Sequence, residues 1–295
     1  MSRFGLAALA LLVASGCQAP TTVPPRPALA SAVEAIVARH PGATVAVVVR
    51  RAGTPAYERL ADRSFHAAST MKVPVMIEAF RQVEAGRRAW DDPVRVENRF
   101  RSIVDGSEFQ IEDDSDDALY TLQGTDVPFR TLVERAITTS SNLATNLLIQ
   151  VLTADSVQAT VERLGAPGMR VLRGVEDLKA FEAGLSNRTT ASALATLFEA
   201  IRDGRAVSPA ADAEMLDVLD DQRFNEMIPA GLPEGTRVAH KTGEITRIHH
   251  DAALVFPPMG PPYVLVILTE GIDDPSVSAA LGAEISRAVW DALVG

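Results

Sequence analysis

Apolar residues along this chain follow two different periods, and the change between them divides it. Ala43 to Val49 (ATVAVVV) is an unbroken, β-branched apolar run, the pattern of a strand buried on both faces. Arg51-Ala52-Gly53 predicts a turn into a second strand around Ala56 to Leu60. Ahead of them, Val33, Ile36 and Val37 share one helical face that His40-Pro41 closes. From Ser69 to about Leu219 the spacing is helical. Met71 to Val83 predicts one helix, Phe129 to Leu152 two more with a break near Thr138 to Ser141, and Thr189 to Ile201 another, opened by two threonines able to cap it. Loops are expected between them, notably the acidic Glu112 to Asp117 and the segment Gly174 to Arg188. Strands return at Arg237 to Lys241, Ala252 to Phe256 and Tyr263 to Thr269, an antiparallel meander with Pro257 to Gly260 as one turn. Val277, Leu281, Ile285, Val289 and Leu293 then form the stripe of a closing helix packed on the sheet.

The pattern predicts an α+β fold. Residues 28–67 and 220–295 build an antiparallel sheet flanked by helices, and residues 68–219 form an inserted all-helical domain. A small-molecule site is expected in the cleft between the two.

Composition narrows the field. The chain has 295 residues, 47% of them apolar, which suffices for a sizeable core. Its net charge is −10 without basic blocks, which excludes a nucleic-acid partner. The N-terminus reads as an export signal: Arg3, the apolar run Leu6 to Val13, then Ala14-Ser15-Gly16-Cys17. The run is far shorter than the ~20 residues of a membrane span. Cys17 is the single cysteine, so no disulfide forms within one molecule. The segment resembles a bacterial lipoprotein signal over residues 1–17, with Cys17 acylated and the protein held on a membrane surface in the periplasm or cell envelope. Residues 18–27 (QAPTTVPPRP) then form an extended tether. Nothing in the sequence demands more than a monomer.

Three short motifs carry chemistry. Ser69-Thr70-Met71-Lys72 opens an apolar helix, and the i, i+3 spacing places hydroxyl and amine on one face. A serine hydroxyl needs a base before it attacks, and a lysine serves once desolvation and a second cation lower its pKa. Ser140-Ser141-Asn142 lies at the helix break, where Ser140 can relay a proton and Asn142 can donate to a substrate amide; Asn146 lies one turn later. Lys241-Thr242-Gly243 ends the strand begun at Arg237, offering two groups to a carboxylate and a glycine that leaves room against the backbone. Each motif is weak alone.

In this order and on these elements, the three together resemble the penicillin-recognising serine hydrolases, in particular the class A β-lactamases. The resemblance spans nearly everything from Ala28 onward. It implies a β-lactam substrate and no cofactor. Ser69 is then the acylated nucleophile, and Lys72 assists its deprotonation. Ser140 shuttles the proton to the lactam nitrogen, Lys241 and Thr242 hold the substrate carboxylate, and the N–H groups of Ser69 and Glu244 form the oxyanion hole.

Hydrolysis of the ester needs a further base. In class A that is a loop glutamate ahead of a Thr-Thr helix start, and Glu176 before Thr189-Thr190 matches it, with Glu182 as second candidate. Asn146 matches the family asparagine that steadies this glutamate. The chain departs from the family in four places. The Glu176-to-Thr189 spacing is one residue shorter than usual, and Ala180 stands where an asparagine is common. Ser141 replaces an aspartate, and no arginine beyond Lys-Thr-Gly is placed to share the substrate carboxylate; Arg247 is near, but Asp251 begins the next strand. His249-His250 does not suggest a metal, because neighbours on a strand point to opposite faces. The alternatives are a D-alanyl-D-alanine peptidase or transpeptidase with the same nucleophile, and a non-catalytic β-lactam receptor.

Overall fold

Five strands form the main sheet in the computed structural model, which, Met1 apart, describes residues 26–295. Cys17 and nearly all of the expected tether lie outside the described residues. The first helix, α1 (Arg26–Val37), begins two residues before the expected boundary, with Arg26-Pro27 already in its first turn, where proline is tolerated.

The strands β1 (Thr44–Arg51) and β2 (Thr54–Arg59) follow, then a two-residue strand β3 (Phe65–His66), a 3₁₀ turn (Ala68–Met71) and α2 (Lys72–Glu84). Next come β4 (Pro93–Arg95), β5 (Phe100–Arg101), β6 (Glu108–Phe109), the single turn α3 (Asp117–Tyr120), β7 (Asp126–Pro128), α4 (Phe129–Thr138), α5 (Asn142–Leu152) and α6 (Ala154–Arg163). The expected loop from Gly174 to Arg188 contains a short helix, α7 (Leu178–Glu182), capped by the Asp177 carboxylate, which accepts from Ala180 N. Thr189 belongs to β8 (Arg188–Thr189), and only Thr190 caps α8 (Ala191–Arg202). The chain finishes with α9 (Pro209–Asp220), β9 (Arg237–Ile245), β10 (Ile248–Phe256), β11 (Tyr263–Glu270) and α10 (Pro275–Leu293).

The sheet order β2-β1-β11-β10-β9 joins both chain ends, with β9 at one edge. One face, carrying Val45, Val47, Val49, Leu265 and Ile267, packs on α1 and α10 through Val33, Leu281 and Ile285. The other, carrying Ala46, Val48, Val264 and Val266, joins a core with Leu194, Phe198 and the buried residues of α2 and α5. A strand covered on both faces reads as continuous apolar sequence, which is why ATVAVVV was recognisable.

Two boundaries differ from the sequence expectation in a way that matters. β9 runs on to Ile245 and β10 starts at Ile248, not Asp251. Lys241-Thr242-Gly243 therefore lies within a ladder and not at its end: Thr242 faces Asp251 and Gly243 faces His250. The polar residues that suggested a strand end are tolerated because β9 is an edge strand facing a groove.

Candidate active site

Ser69 sits in the 3₁₀ turn that leads into α2, behind Ala68, which adopts a left-handed φ of 45°. Gly243 fixes this turn against β9. A Cβ at Gly243 would stand 2.9 Å from Ser69 N and 3.0 Å from Thr70 N, so only glycine lets the strand approach so closely. The Ser69 hydroxyl is partly exposed and has no hydrogen-bond partner among the described residues.

Lys72 is fully buried beneath it. Its ammonium donates to the Ser140 carbonyl, to Ser140 Oγ (3.2 Å) and to Asn142 Oδ1 (2.9 Å). Burial pulls its pKa down from 10.5 to about 7, against the pull of Asp114 and Glu176 in the other direction. Lys241, also buried, donates to Ser140 Oγ (3.0 Å) and to the Thr242 carbonyl (3.0 Å). Burial, and then the neighbouring Lys72, push it well below an ordinary lysine. The two lysine Nζ groups thus donate to both lone pairs of the Ser140 hydroxyl. Its own proton has no acceptor among the described residues and is free to be given away.

The break between α4 and α5 holds Ser140 at a φ of 57°. What organises it is Asp114, from the acidic loop Glu112 to Asp117. Its carboxylate accepts from Asn142 N (2.8 Å), Leu143 N (2.8 Å), Tyr120 OH (3.1 Å) and Ser141 Oγ (3.3 Å). Ser141 in turn caps α5 at Ala144 N. The aspartate missing from the second motif is replaced by one from a loop some twenty-eight positions away in sequence. Only the cluster of acids in Glu112 to Asp117 hinted at it. We expect Asp114→Ala to cost roughly 1–3 kcal/mol, because it strips three amides, that of Ser115 among them, and two hydroxyls of their acceptor at once; a urea unfolding curve against wild type measures it.

Glu176 reaches the same centre from the other side. Its Oε1 accepts from Asn142 Nδ2 (2.6 Å) and its Oε2 from Glu112 N (3.4 Å). Partial burial raises its pKa first of all; the Asn142 bond works against this, and Asp114 and Asp113 work with it. Asn146 steadies the backbone before it and not the carboxylate: Val175 N donates to Asn146 Oδ1 (2.6 Å), and Asn146 Nδ2 donates to Val175 O (3.0 Å). Gly174 is required there, since a Cβ would fall 2.1 Å from Asn146 Oδ1. Asn142 is committed as well, to Lys72, Glu176 and the Asp113 carbonyl (3.3 Å), so a substrate amide has to displace one of these bonds. Glu182 is exposed on α7 and is not among the groove residues.

Ser69, Ser140, Asn142, Glu176, Thr242 and Glu244 open onto one groove of about 1140 Å³. Of the site residues expected from sequence, Ser69, Ser140, Asn142, Glu176, Thr242, Gly243 and Glu244 line this groove and Lys72 and Lys241 bond to Ser140, whereas Asn146 bonds only to Val175 behind it and Glu182 lies outside. His249 and His250 turn to opposite faces of β10, toward Ser278 Oγ (3.0 Å) and the His66 carbonyl (2.9 Å) respectively. Arg247, at the β9–β10 tip, pairs with Asp273 at 2.9 Å.

A family model described as the β-lactamase enzyme family matches residues 28–293, nearly the whole described chain. The chain belongs to that family. Its β-lactamase relative from Bacillus amyloliquefaciens is 30% identical over 174 residues, covering 57% of each protein, so the chain matches well under two-thirds of that relative's length. Similarity of structure extends further. A β-lactamase from Sphaerobacter thermophilus superposes with a TM-score of 0.77 at 28% identity, over 90% of this chain and 97% of the other. The structure of PBP-A gives 0.77 at 27%, over 90% and 95%, and a PBP-A variant of like similarity is an acyl-enzyme complex with penicillin G. The antiparallel sheet with flanking helices is the fold of these β-lactamase-family neighbours.

Proposed function

We propose that this chain is a class A-like serine β-lactamase, hydrolysing the lactam amide through an acyl-enzyme on Ser69. The observation that carries the reading is the unbroken chain Glu176–Asn142–Lys72–Ser140–Lys241, which shares one groove with the unpartnered Ser69 hydroxyl. Neutral Lys72 takes the Ser69 proton as Oγ adds to the lactam carbonyl, whose oxygen turns toward the amides of Ser69 and Glu244. The C–N bond breaks as Ser140 passes its proton to the leaving nitrogen, and Lys72 reprotonates Ser140. Glu176 then draws a proton from a water that attacks the ester carbonyl, the acyl C–O bond breaks, and that proton is returned to Ser69 Oγ, which leaves as the alcohol.

A second reading, a penicillin-binding peptidase, is favoured by the equal similarity to PBP-A and by Ala180, which gives Glu176 no side-chain amide on α7. Wild-type protein and a chromogenic cephalosporin separate the two. The lactamase gives sustained turnover; the peptidase gives one equivalent of colour and then stalls as a long-lived ester.

A further inference from the structure

One residue outside the groove touches three parts of the machinery at once. Ser69 follows Ala68, whose left-handed φ of 45° is unfavourable for a residue with a Cβ and persists only where its surroundings hold it. The holder is His66. Its Nδ1 accepts from Ala68 N at 3.0 Å, a bond to the amide two residues on that bends the chain into the nucleophile turn. A backbone N–H can only donate, so this Nδ1 is bare and the neutral ring carries its hydrogen on Nε2. Burial first, then Arg173 and Arg188, lowers the His66 pKa to about 4, so the bare nitrogen persists at neutral pH.

The backbone of His66 is pinned to the main sheet. Its carbonyl accepts from His250 Nε2 (2.9 Å), and Thr269 N orients that ring by donating to its Nδ1 (3.2 Å). In the small β3–β8 ladder His66 pairs with Arg188, and the next amide, Ala67 N, donates to the Asn187 carbonyl (2.9 Å). Asn187 closes the segment that carries Glu176: its Oδ1 accepts from Leu172 N (2.8 Å) and Arg173 N (3.2 Å), and its Nδ2 donates to Arg173 O (2.9 Å).

The His66 imidazole also meets Phe181 of α7 edge to face, with ring centroids 6.2 Å apart. On its other side α7 is held by the β5–β6 hairpin, where Ile103 N donates to Asp177 (2.9 Å) and Lys179 pairs with Asp105 (2.7 Å). His66 thus stands between the nucleophile turn and the loop of Glu176, and it serves them with different atoms. Nδ1 holds the turn, and the ring holds the helix.

We propose that His66, which is not among the groove-lining residues, is a positioning residue for both half-reactions: its Nδ1 sets Ala68 so that Ser69 presents its amide and hydroxyl to the groove, and its ring seats α7 so that Glu176 stays in reach of the ester. The proposal rests on the Ser69 acyl-enzyme reading. Two substitutions separate the two contacts. His66→Asn removes the ring but keeps an acceptor, since an asparagine side chain bonds the amide two residues on. His66→Phe keeps a ring against Phe181 and removes the acceptor. A chromogenic cephalosporin mixed with excess enzyme gives the acylation rate, and decay of a penicillin adduct in quenched-flow mass spectrometry gives the deacylation rate.

His66→Phe slows acylation about tenfold or more and leaves deacylation near the wild-type rate. His66→Asn keeps acylation and slows deacylation about 2- to 10-fold. Phe181→Ala, at a half-exposed ring, does the same without opening the core. A role in stability alone gives no such crossed pattern, because a loosened fold slows both steps together. The proposal is overturned if His66→Phe and His66→Asn change the two steps in the same proportion, or if neither step moves in either variant, or if Phe181→Ala leaves deacylation unchanged. Wild type that forms no adduct on Ser69 with either compound overturns the acyl-enzyme reading itself, and this proposal with it.

Discussion

On the proposed mechanism, Glu176→Gln should turn the protein from a catalyst into a trap. The substitution is nearly isosteric, and the new amide oxygen can still accept from Asn142 Nδ2, which now holds Glu176 Oε1 at 2.6 Å. What is lost is the ability to take a proton from water. General-base assistance contributes about 10²–10⁴-fold, so deacylation slows by that factor while acylation, which draws on Lys72, is little changed. Rapid mixing with a chromogenic cephalosporin should show one equivalent released at the wild-type rate, followed by a near-flat line. The raised pKa of Glu176, caused first by burial, makes it a stronger base and also moves its protonation toward neutral pH. The wild-type deacylation rate should therefore decline on acidification at a higher pH than an exposed glutamate would give.

Lys72→Met should act on the other half-reaction. Methionine fills a similar volume without a base, and acylation falls by about a hundredfold or more. Because burial brings Lys72 to about 7, wild-type acylation should drop about tenfold for each unit of pH below that value, as the amine becomes ammonium and can accept no proton. The residual acylation of Lys72→Met should lack this limb. The substitution also leaves the Ser140 carbonyl and Asn142 Oδ1 without their buried donor, so a lowered melting temperature accompanies it. The pH profile tells loss of the base from loss of stability.

These residues differ in how they announced themselves. Ser69, Lys72, Ser140 and Lys241 were legible because each sits in a short motif fixed by local geometry: a helix start, a helix break, an edge strand. The sheet was legible for the same reason, since burial on both faces writes itself as an uninterrupted apolar run in β1. Asp114 was not legible. Its work is done across the fold, on the amides of Asn142 and Leu143, and a loop aspartate that caps a distant helix looks like any solvated acid. α7 was hidden within an expected loop because five residues give too little periodicity to detect. The bounds of β9 and β10 were misplaced because Lys241, Thr242, His249 and Asp251 are polar residues buried in strands, and site chemistry there overrides the apolar pattern.

Intact-protein mass spectrometry after mixing wild type with a penicillin addresses the nucleophile most directly. Ring opening by Ser69 adds the whole penicillin, so the account predicts a transient adduct of one full penicillin mass, located on the peptide containing Ser69, that decays to the original mass as product accumulates. An adduct on another residue, or turnover undiminished in Ser69→Ala, would contradict it.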